Sequence, residues 1–229
     1  MQIVALHGIN NTPAAFDGLR RALAPDVAVQ APALPALADV DAIASALLPA
    51  LPDRFVLAGH SFGGYVALAL LALAPGRIAG LSMINSQDGP DSPEMAEARH
   101  RMADAADAGK YAELAAAAAA RSFHPTHLAR PEIRALREAE IAGYGALRYA
   151  AHQRACAIRP DRRALLAAYG GVKLVIAADE DAVIPTARQT EMARAVGARL
   201  AVVPDTGHML PVEAPEALAA LLRDCVGAA

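Results

Sequence analysis

The sequence predicts an α/β fold: a doubly wound, mostly parallel sheet of about six strands carrying a helical insertion. Three observations lead there. Six short apolar runs each end in a turn residue, helical stretches lie between most of them, and one long interval holds no strand. Runs of this length that are apolar on both faces read as buried parallel strands.

In chain order, Gln2–Leu6 runs into His7-Gly8, and Val27–Val29 into Gln30-Ala31-Pro32. Arg54–Ala58 runs into Gly59, and Leu81–Asn85 into Ser86-Gln87-Asp88. Val172–Ala177 meets Ala178-Asp179, and Arg199–Val203 meets Pro204-Asp205. Helices are expected over Ala14–Leu23, Asp39–Leu48, Gly63–Leu73, Pro185–Val196 and Pro215–Cys225, the last with a proline in its first turn.

The alternation stops between Asp88 and Gly170. Ser92-Pro93-Glu94 reads as a helix start, with Ser92 as cap. Helical stretches follow at Lys110–Ala120, Pro131–Ala142, Ala146–Ala157 and Asp161–Ala168. The expected organisation is a core from residues 1–87 and 171–229, with residues 88–170 as a helical lid over the carboxyl edge of the sheet. Its apolar residues Met95, Met102, Tyr111, Leu114, Phe123 and Tyr144 either wall a pocket or hold the lid helices together.

Composition narrows the partners. Hydrophobic residues make up 55% of the 229 residues, aromatics 4%, and the net charge is −3 with no basic run. Nucleic acid and anionic membranes are therefore not expected partners. Cys156 and Cys225 match no metal or redox spacing and read as free thiols in a reducing compartment. The N-terminus has no basic region, and Pro75-Gly76-Arg77 stops the apolar run Val66–Leu73 short of a membrane span. A cytoplasmic protein, monomer or homodimer, is expected.

The chemistry centres on Gly59-His60-Ser61-Phe62-Gly63-Gly64, where a strand passes into a helix. A serine in so tight a turn is strained and exposes its hydroxyl at the sheet edge. Residues two before and two after it must be small, and Gly59 and Gly63 meet that demand. The turn also puts the Phe62 N–H at a helix N-terminus, where developing negative charge is stabilised.

A serine hydroxyl needs a base. Of seven histidines, His208 lies just past the last strand and reaches the same edge. His60 should point away from the hydroxyl, His7 reads as a packing residue, and the four in the insertion default to surface or lid positions. The acid that orients the base comes from Asp179, Glu180 or Asp181 after the fifth strand, or from Asp88. The order Ser61, Asp181, His208 is the one this kind of elbow calls for. Gly8 lets the loop after the first strand approach closely, which makes the Ile9 N–H the second oxyanion donor. Asn10 and Asn11 are turn residues or polar contacts at the pocket mouth. Ile9, Phe62, Val183 and Met209 are expected on its sheet side.

Four stretches together resemble the α/β-hydrolase superfamily across the whole chain. They are "LHGINNTPAAF" (oxyanion loop), "GHSFGG" (elbow), "ADEDAVIP" (acid loop) and "GHMLPVEAPEAL" (histidine loop and final helix). In that family the acid usually stands four residues before a proline, which selects Asp181 ahead of Pro185. "HQRACAIRPDRRALL" is similar to a subset of bacterial esterases and enol-lactonase-like hydrolases, and there Arg159-Pro160-Asp161 would tie the lid to the core. The family's N-terminal hairpin is missing, its Asp-x-x-Gly-x-Gly is replaced by "QAPALPAL", and Ala178 stands where a glycine usually precedes the acid loop.

The resemblance implies a serine hydrolase with Ser61 as nucleophile, His208 as base, Asp181 as orienting acid, and the Ile9 and Phe62 N–H groups as oxyanion hole. Asn10, Val183 and Met209 would contact a small acyl substrate: an ester, lactone or thioester. No cofactor or metal is expected. The same constellation also serves cyanohydrin lyases, perhydrolases and cofactor-free oxygenases, and a ligand-binding protein on this fold is a further alternative.

Overall fold

A computed structural model describes residues 1–229. One sheet of six strands runs through the molecule in the order β2-β1-β3-β4-β5-β6, with every neighbouring pair parallel. The strands are β1 (Ile3–Leu6), β2 (Val29–Gln30), β3 (Phe55–His60), β4 (Ile78–Ile84), β5 (Val172–Ala178) and β6 (Arg199–Val203). Every residue of β1, β3 and β4 is buried, which is why these segments are apolar throughout rather than alternating.

Helices cover both faces. On one, α1 (Asp17–Leu23) and the C-terminal helix (Pro215–Ala228) bring Leu19, Leu23, Leu218 and Leu222 against Ile3, Val56 and Ile176. On the other, α2 (Val40–Leu47) and α3 (Phe62–Leu73) join Ile43, Leu47, Val66 and Leu70 to Val4, Leu57 and Leu81. The α2 cap is local chemistry: the Asp39 carboxylate accepts from the N–H groups of Asp41 (2.7 Å) and Ala42 (3.0 Å). α3 is buried from Phe62 to Leu71, so its sequence carries no amphipathic stripe.

β3 and β4 extend furthest beyond their sequence-based limits. β3 continues through Gly59-His60, and β4 begins at Ile78 rather than Leu81, because pairing between the two strands runs from Phe55–Ile78 to His60–Ile84. Glycine and alanine have weak strand preference of their own, and here the neighbouring ladder decides.

From Pro93 to Ala168 the chain is helical. It contains α4 (Pro93–Ala105), α5 (Tyr111–Ser122), the single turn α6 (Pro125–Leu128), α7 (Pro131–Ala157) and α8 (Arg163–Ala168). Ser92 caps α4, its hydroxyl accepting from the Met95 N–H at 3.3 Å. α7 spans both stretches expected around residues 143–145 and is interrupted at Gly145, where φ is 79°. The chain closes with α9 (Thr186–Val196), the short α10 (Leu210–Glu213) and α11, the C-terminal helix Pro215–Ala228. No helix is long and apolar enough to cross a membrane. Cys156 and Cys225 are both buried and unpaired.

The helical segment is tied down by ions. Asp91 accepts from Arg99 Nε and from Arg159 Nη2, each at 2.7 Å, and the Arg159 guanidinium lies 4.1 Å from the Tyr65 ring centroid on α3. Asp161, expected to share this role, instead pairs with its neighbour Arg163 at the surface. Asp91→Ala leaves two guanidiniums without their counter-ion and should cost about 3–5 kcal/mol. Denaturant unfolding at neutral pH checks this, and a change below about 1 kcal/mol would show that water takes over the carboxylate's role.

Candidate active site

Because β1, β3, β5 and β6 run parallel, the loops that leave them emerge at one edge. Ser61 stands between β3 and α3 with φ 52° and ψ −118°, a conformation rare for any residue with a side chain. Its backbone is pinned on both sides: its N–H donates to Ile84 O (2.9 Å), and its carbonyl accepts from the Gly64 N–H (2.9 Å) and the Ser86 hydroxyl (2.8 Å). The turn is tight enough to exclude side chains. A Cβ at Gly59 would lie 2.6 Å from Gly63 O, and one at Gly63 would lie 2.1 Å from Leu6 O. Gly64 is equally constrained, by Ser86 Oγ at 2.1 Å.

His208, after β6, brings Nε2 to 2.9 Å from Ser61 Oγ, while Asp181, after β5, brings Oδ2 to 2.8 Å from His208 Nδ1. The other Asp181 oxygen accepts from the N–H groups of Val183 and Ile184, both at 2.8 Å, and Gln189 Nε2 reaches Oδ2 at 3.2 Å. Asp181 and His208 are buried, and Ser61 is partly exposed. The other acid candidates lie apart from His208: Asp179 accepts from the N–H groups of Asp205 and Thr206, and Asp88 lines a separate open groove.

Ile9 and Phe62 flank Ser61 in the cavity wall, and neither N–H finds an acceptor within the protein. Asn10 (φ 60°) is buried with Oδ1 unpartnered, and its carbonyl accepts from Arg137 Nη1 at 2.7 Å. Asn11 donates to Glu140 Oε2 at 3.0 Å, so α7 holds this loop at two points.

Four supporting residues carried no signal in the sequence. Asn85, which follows β4 with φ 43°, donates to His208 O (2.9 Å) and accepts from the Ala178 N–H (2.8 Å), bridging β5 to the histidine loop. His60 Nε2 donates to the same carbonyl at 2.8 Å, turned away from the Ser61 hydroxyl. Gln189 braces the acid. Glu213 is buried and accepts from the N–H groups of Gly207 (3.1 Å), Met209 (3.0 Å) and His124 (2.9 Å), and from His127 Nδ1 (2.9 Å). It joins the histidine loop to α6. Their partners are distant in sequence or belong to the backbone, so no local spacing reports them.

Ser61 and His208 open into a cavity of about 440 Å³. Met95, Met102 and Leu114 from the helical segment line it, together with Val183 and Met209 from the loops. Tyr111, Phe123 and Tyr144 do not: they pack among the helices, Phe123 beside Ile133 and Tyr144 in a cluster with Tyr149. A larger groove of about 770 Å³ runs past Asp88, Arg163 and Glu191, is more open to solvent, and contains none of the residues around Ser61. No three His, Cys, Asp or Glu side chains are placed to hold a metal ion.

Three histidines are buried and held neutral. Burial lowers His7 to about 4, and His60 and His152 to about 3. His7 accepts from the Leu34 N–H through Nε2. His152 donates to Pro35 O, bonds the Tyr144 hydroxyl and stacks on Phe62 with centroids 4.4 Å apart. Of the surface or lid positions expected for the histidines of the insertion, His127 and His152 take buried ones within its helices.

Sequence comparison matches residues 3–221 to the alpha/beta hydrolase family. A pimeloyl-[acyl-carrier protein] methyl ester esterase from Aromatoleum aromaticum is 36% identical over 91 residues, a match covering 37% of this chain and 36% of that protein. A thermophilic esterase from Thermogutta terrifontis, solved with malate bound, is similar at 27% identity and a TM-score of 0.92, over 99% of this chain and 89% of that one. The enol-lactonase from Burkholderia xenovorans LB400 shares the fold at 22% identity and a TM-score of 0.88, over 99% and 91%.

Two outcomes follow from the buried groups. The three histidines, at 6.5 in the unfolded chain, take up protons on unfolding below that pH but not in the fold. Stability is therefore complete above pH 6.5 and is lost as pH falls toward the folded values. Glu140, raised by burial from 4.5 to about 6, opposes this in part. The net expectation is a loss of about 2–3 kcal/mol from about pH 6 to about pH 5, read by urea unfolding; a flat profile would contradict it. Glu213→Ala strands the Gly207 and His124 N–H groups and His127 Nδ1, while the Met209 N–H keeps Ser122 O, and should cost about 3 kcal/mol in the same assay.

Proposed function

The chain belongs to the alpha/beta hydrolase family, and from that membership and the site geometry we propose that it is a serine hydrolase of small carboxylic esters, lactones or thioesters. The single observation that carries this reading is the relay Ser61 Oγ–His208 Nε2–Asp181 Oδ2, at 2.9 and 2.8 Å, at a largely apolar cavity.

In this reading Ser61 Oγ attacks the substrate carbonyl carbon while its proton passes to His208 Nε2. The carbonyl oxygen becomes an oxyanion that accepts from the N–H groups of Ile9 and Phe62, the latter at the N-terminus of α3. Collapse breaks the bond to the leaving group, which takes the proton from His208 and departs as alcohol or thiol, or stays tethered when the substrate is a lactone. Water then attacks the acyl-enzyme, giving its proton to His208, and the acid leaves as Ser61 recovers its hydrogen. Asp181 holds Nδ1–H and balances the transient imidazolium; its bonds to Val183 and Ile184 keep it in place. The helices from Pro93 to Ala168 act as a lid whose Met95, Met102 and Leu114 select the acyl or alcohol part.

Fluorophosphonate should label Ser61 and no other serine. Ser61→Ala should lower kcat/KM on 4-nitrophenyl acetate by about ten-thousand-fold or more while circular dichroism stays unchanged. Asp181→Asn should lower kcat by a comparable factor, roughly ten-thousand-fold, because the imidazole loses its orienting charge. Undiminished turnover in folded Ser61→Ala would sink the acyl-enzyme route.

A further inference from the structure

The cavity beside Ser61 differs in charge from the chain that encloses it. The chain carries a net −3, yet no Asp or Glu lines this cavity, whereas Arg99 of α4, Arg121 of α5 and Arg137 of α7 all do. Acids near these arginines are already committed. Asp91 serves both Arg99 and Arg159, so one carboxylate faces two guanidiniums. Glu140, beside Arg137, has its oxygens taken by the Asn11 side chain and the Thr12 N–H.

Arg121 is exposed at the surface and bonds only Ala182 O, through Nη2, whereas Arg99 is half-buried and held by two side chains. Arg159 commits its donors to Gly89 O, Cys156 O and Asp91 and lies outside the cavity wall. Arg99 gives Nε to Asp91 (2.7 Å) and Nη1 to Gln153 Oε1 (2.8 Å), while Nη2 has no acceptor in the protein. Two fixed partners set the plane of the guanidinium before any ligand arrives, which lowers the ordering cost of binding. The terminal nitrogens of Arg137 are occupied by Asn10 O and Ala115 O, so Arg137 adds field rather than a free fork. The free Nη2 edge of Arg99 suits a singly charged planar anion, and the apolar wall of Met102 and Leu114 suits a short hydrocarbon spacer.

Building on the serine hydrolase reading, we propose that the substrate carries a free carboxylate remote from the carbonyl that Ser61 attacks, and that Arg99 binds it. The substrate class is then a half-ester, half-thioester or carboxylated lactone of a short dicarboxylic acid.

The test compares 4-nitrophenyl hydrogen glutarate with its neutral methyl-capped diester, reading nitrophenolate release. In the unaltered protein kcat/KM for the acid should exceed that for the capped ester by about 10- to 100-fold, chiefly through KM. Added salt should shrink the ratio. Arg99→Gln should bring the ratio close to one, and Arg99→Lys should retain part of it, because the charge persists without the fork. A ratio at or below one in the unaltered protein, or an undiminished ratio in Arg99→Gln, overturns the proposal. Should Arg99→Gln not fold, inhibition of the capped-ester reaction decides: glutarate must compete better than neutral glutaramide, and equal inhibition overturns the assignment. Turnover of both esters without discrimination defeats this inference alone. Absence of turnover together with no fluorophosphonate labelling of Ser61 defeats the hydrolase reading, and this inference with it.

Discussion

A Cβ on Gly63 would stand 2.1 Å from the carbonyl oxygen of Leu6, so the start of α3 lies directly against the end of β1. That approach lets the chain reverse from β3 into α3 within one residue and leaves Ser61 in a strained conformation at φ 52°. The strain is held by bonds from β4 and its following loop, through Ile84 O and Ser86 Oγ. The same approach sets the Phe62 N–H next to the loop that carries Ile9. Position of the serine hydroxyl and position of the two free N–H groups are thus consequences of one backbone contact, and that contact exists because Gly59, Gly63 and Gly64 have no side chains.

The other half of the site is assembled through carbonyls and carboxylates. His208 O receives donors from both His60 and Asn85, and Glu213 gathers the N–H groups on either side of His208. These buried polar groups cost free energy to bury unless satisfied, and here they satisfy one another. The His208 ring is therefore positioned by its own backbone as much as by Asp181. Glu213 also accepts from His124 and His127, so the helices above the sheet and the loop below them share one carboxylate. A disturbance in α6 reaches the histidine loop through that shared acceptor.

Charge follows the same division. The loops from the sheet supply the hydrogen-bonded chain Ser61–His208–Asp181, while the helices between β4 and β5 supply three arginines and most of the apolar wall. The two parts meet at several bonds, among them Glu140 with Asn11, Arg137 with Asn10 O, His152 with Pro35 O and Glu213 with the His124 N–H.

By itself the sequence determined the strand order along the chain, the glycine-flanked serine and the loops from which Asp181 and His208 project. These depend on local properties: short apolar runs bounded by turn residues, and glycine where a turn excludes a Cβ. It also marked Ile9, Asn10, Val183 and Met209, because each sits beside such a loop. Only the tertiary structure decided that Asn85, Gln189, Glu213 and His60 brace that site, that His127 and His152 lie in the interior, and that Met95, Met102 and Leu114 face the cavity while Tyr111, Phe123 and Tyr144 do not. The strand limits at Ile78 and His60 belong with these, since a neighbouring ladder drew them. The physical reason is common to all: their partners lie far off in sequence, as with the 148 residues between His60 and His208, and no spacing within one segment encodes a bond that the fold alone brings within reach.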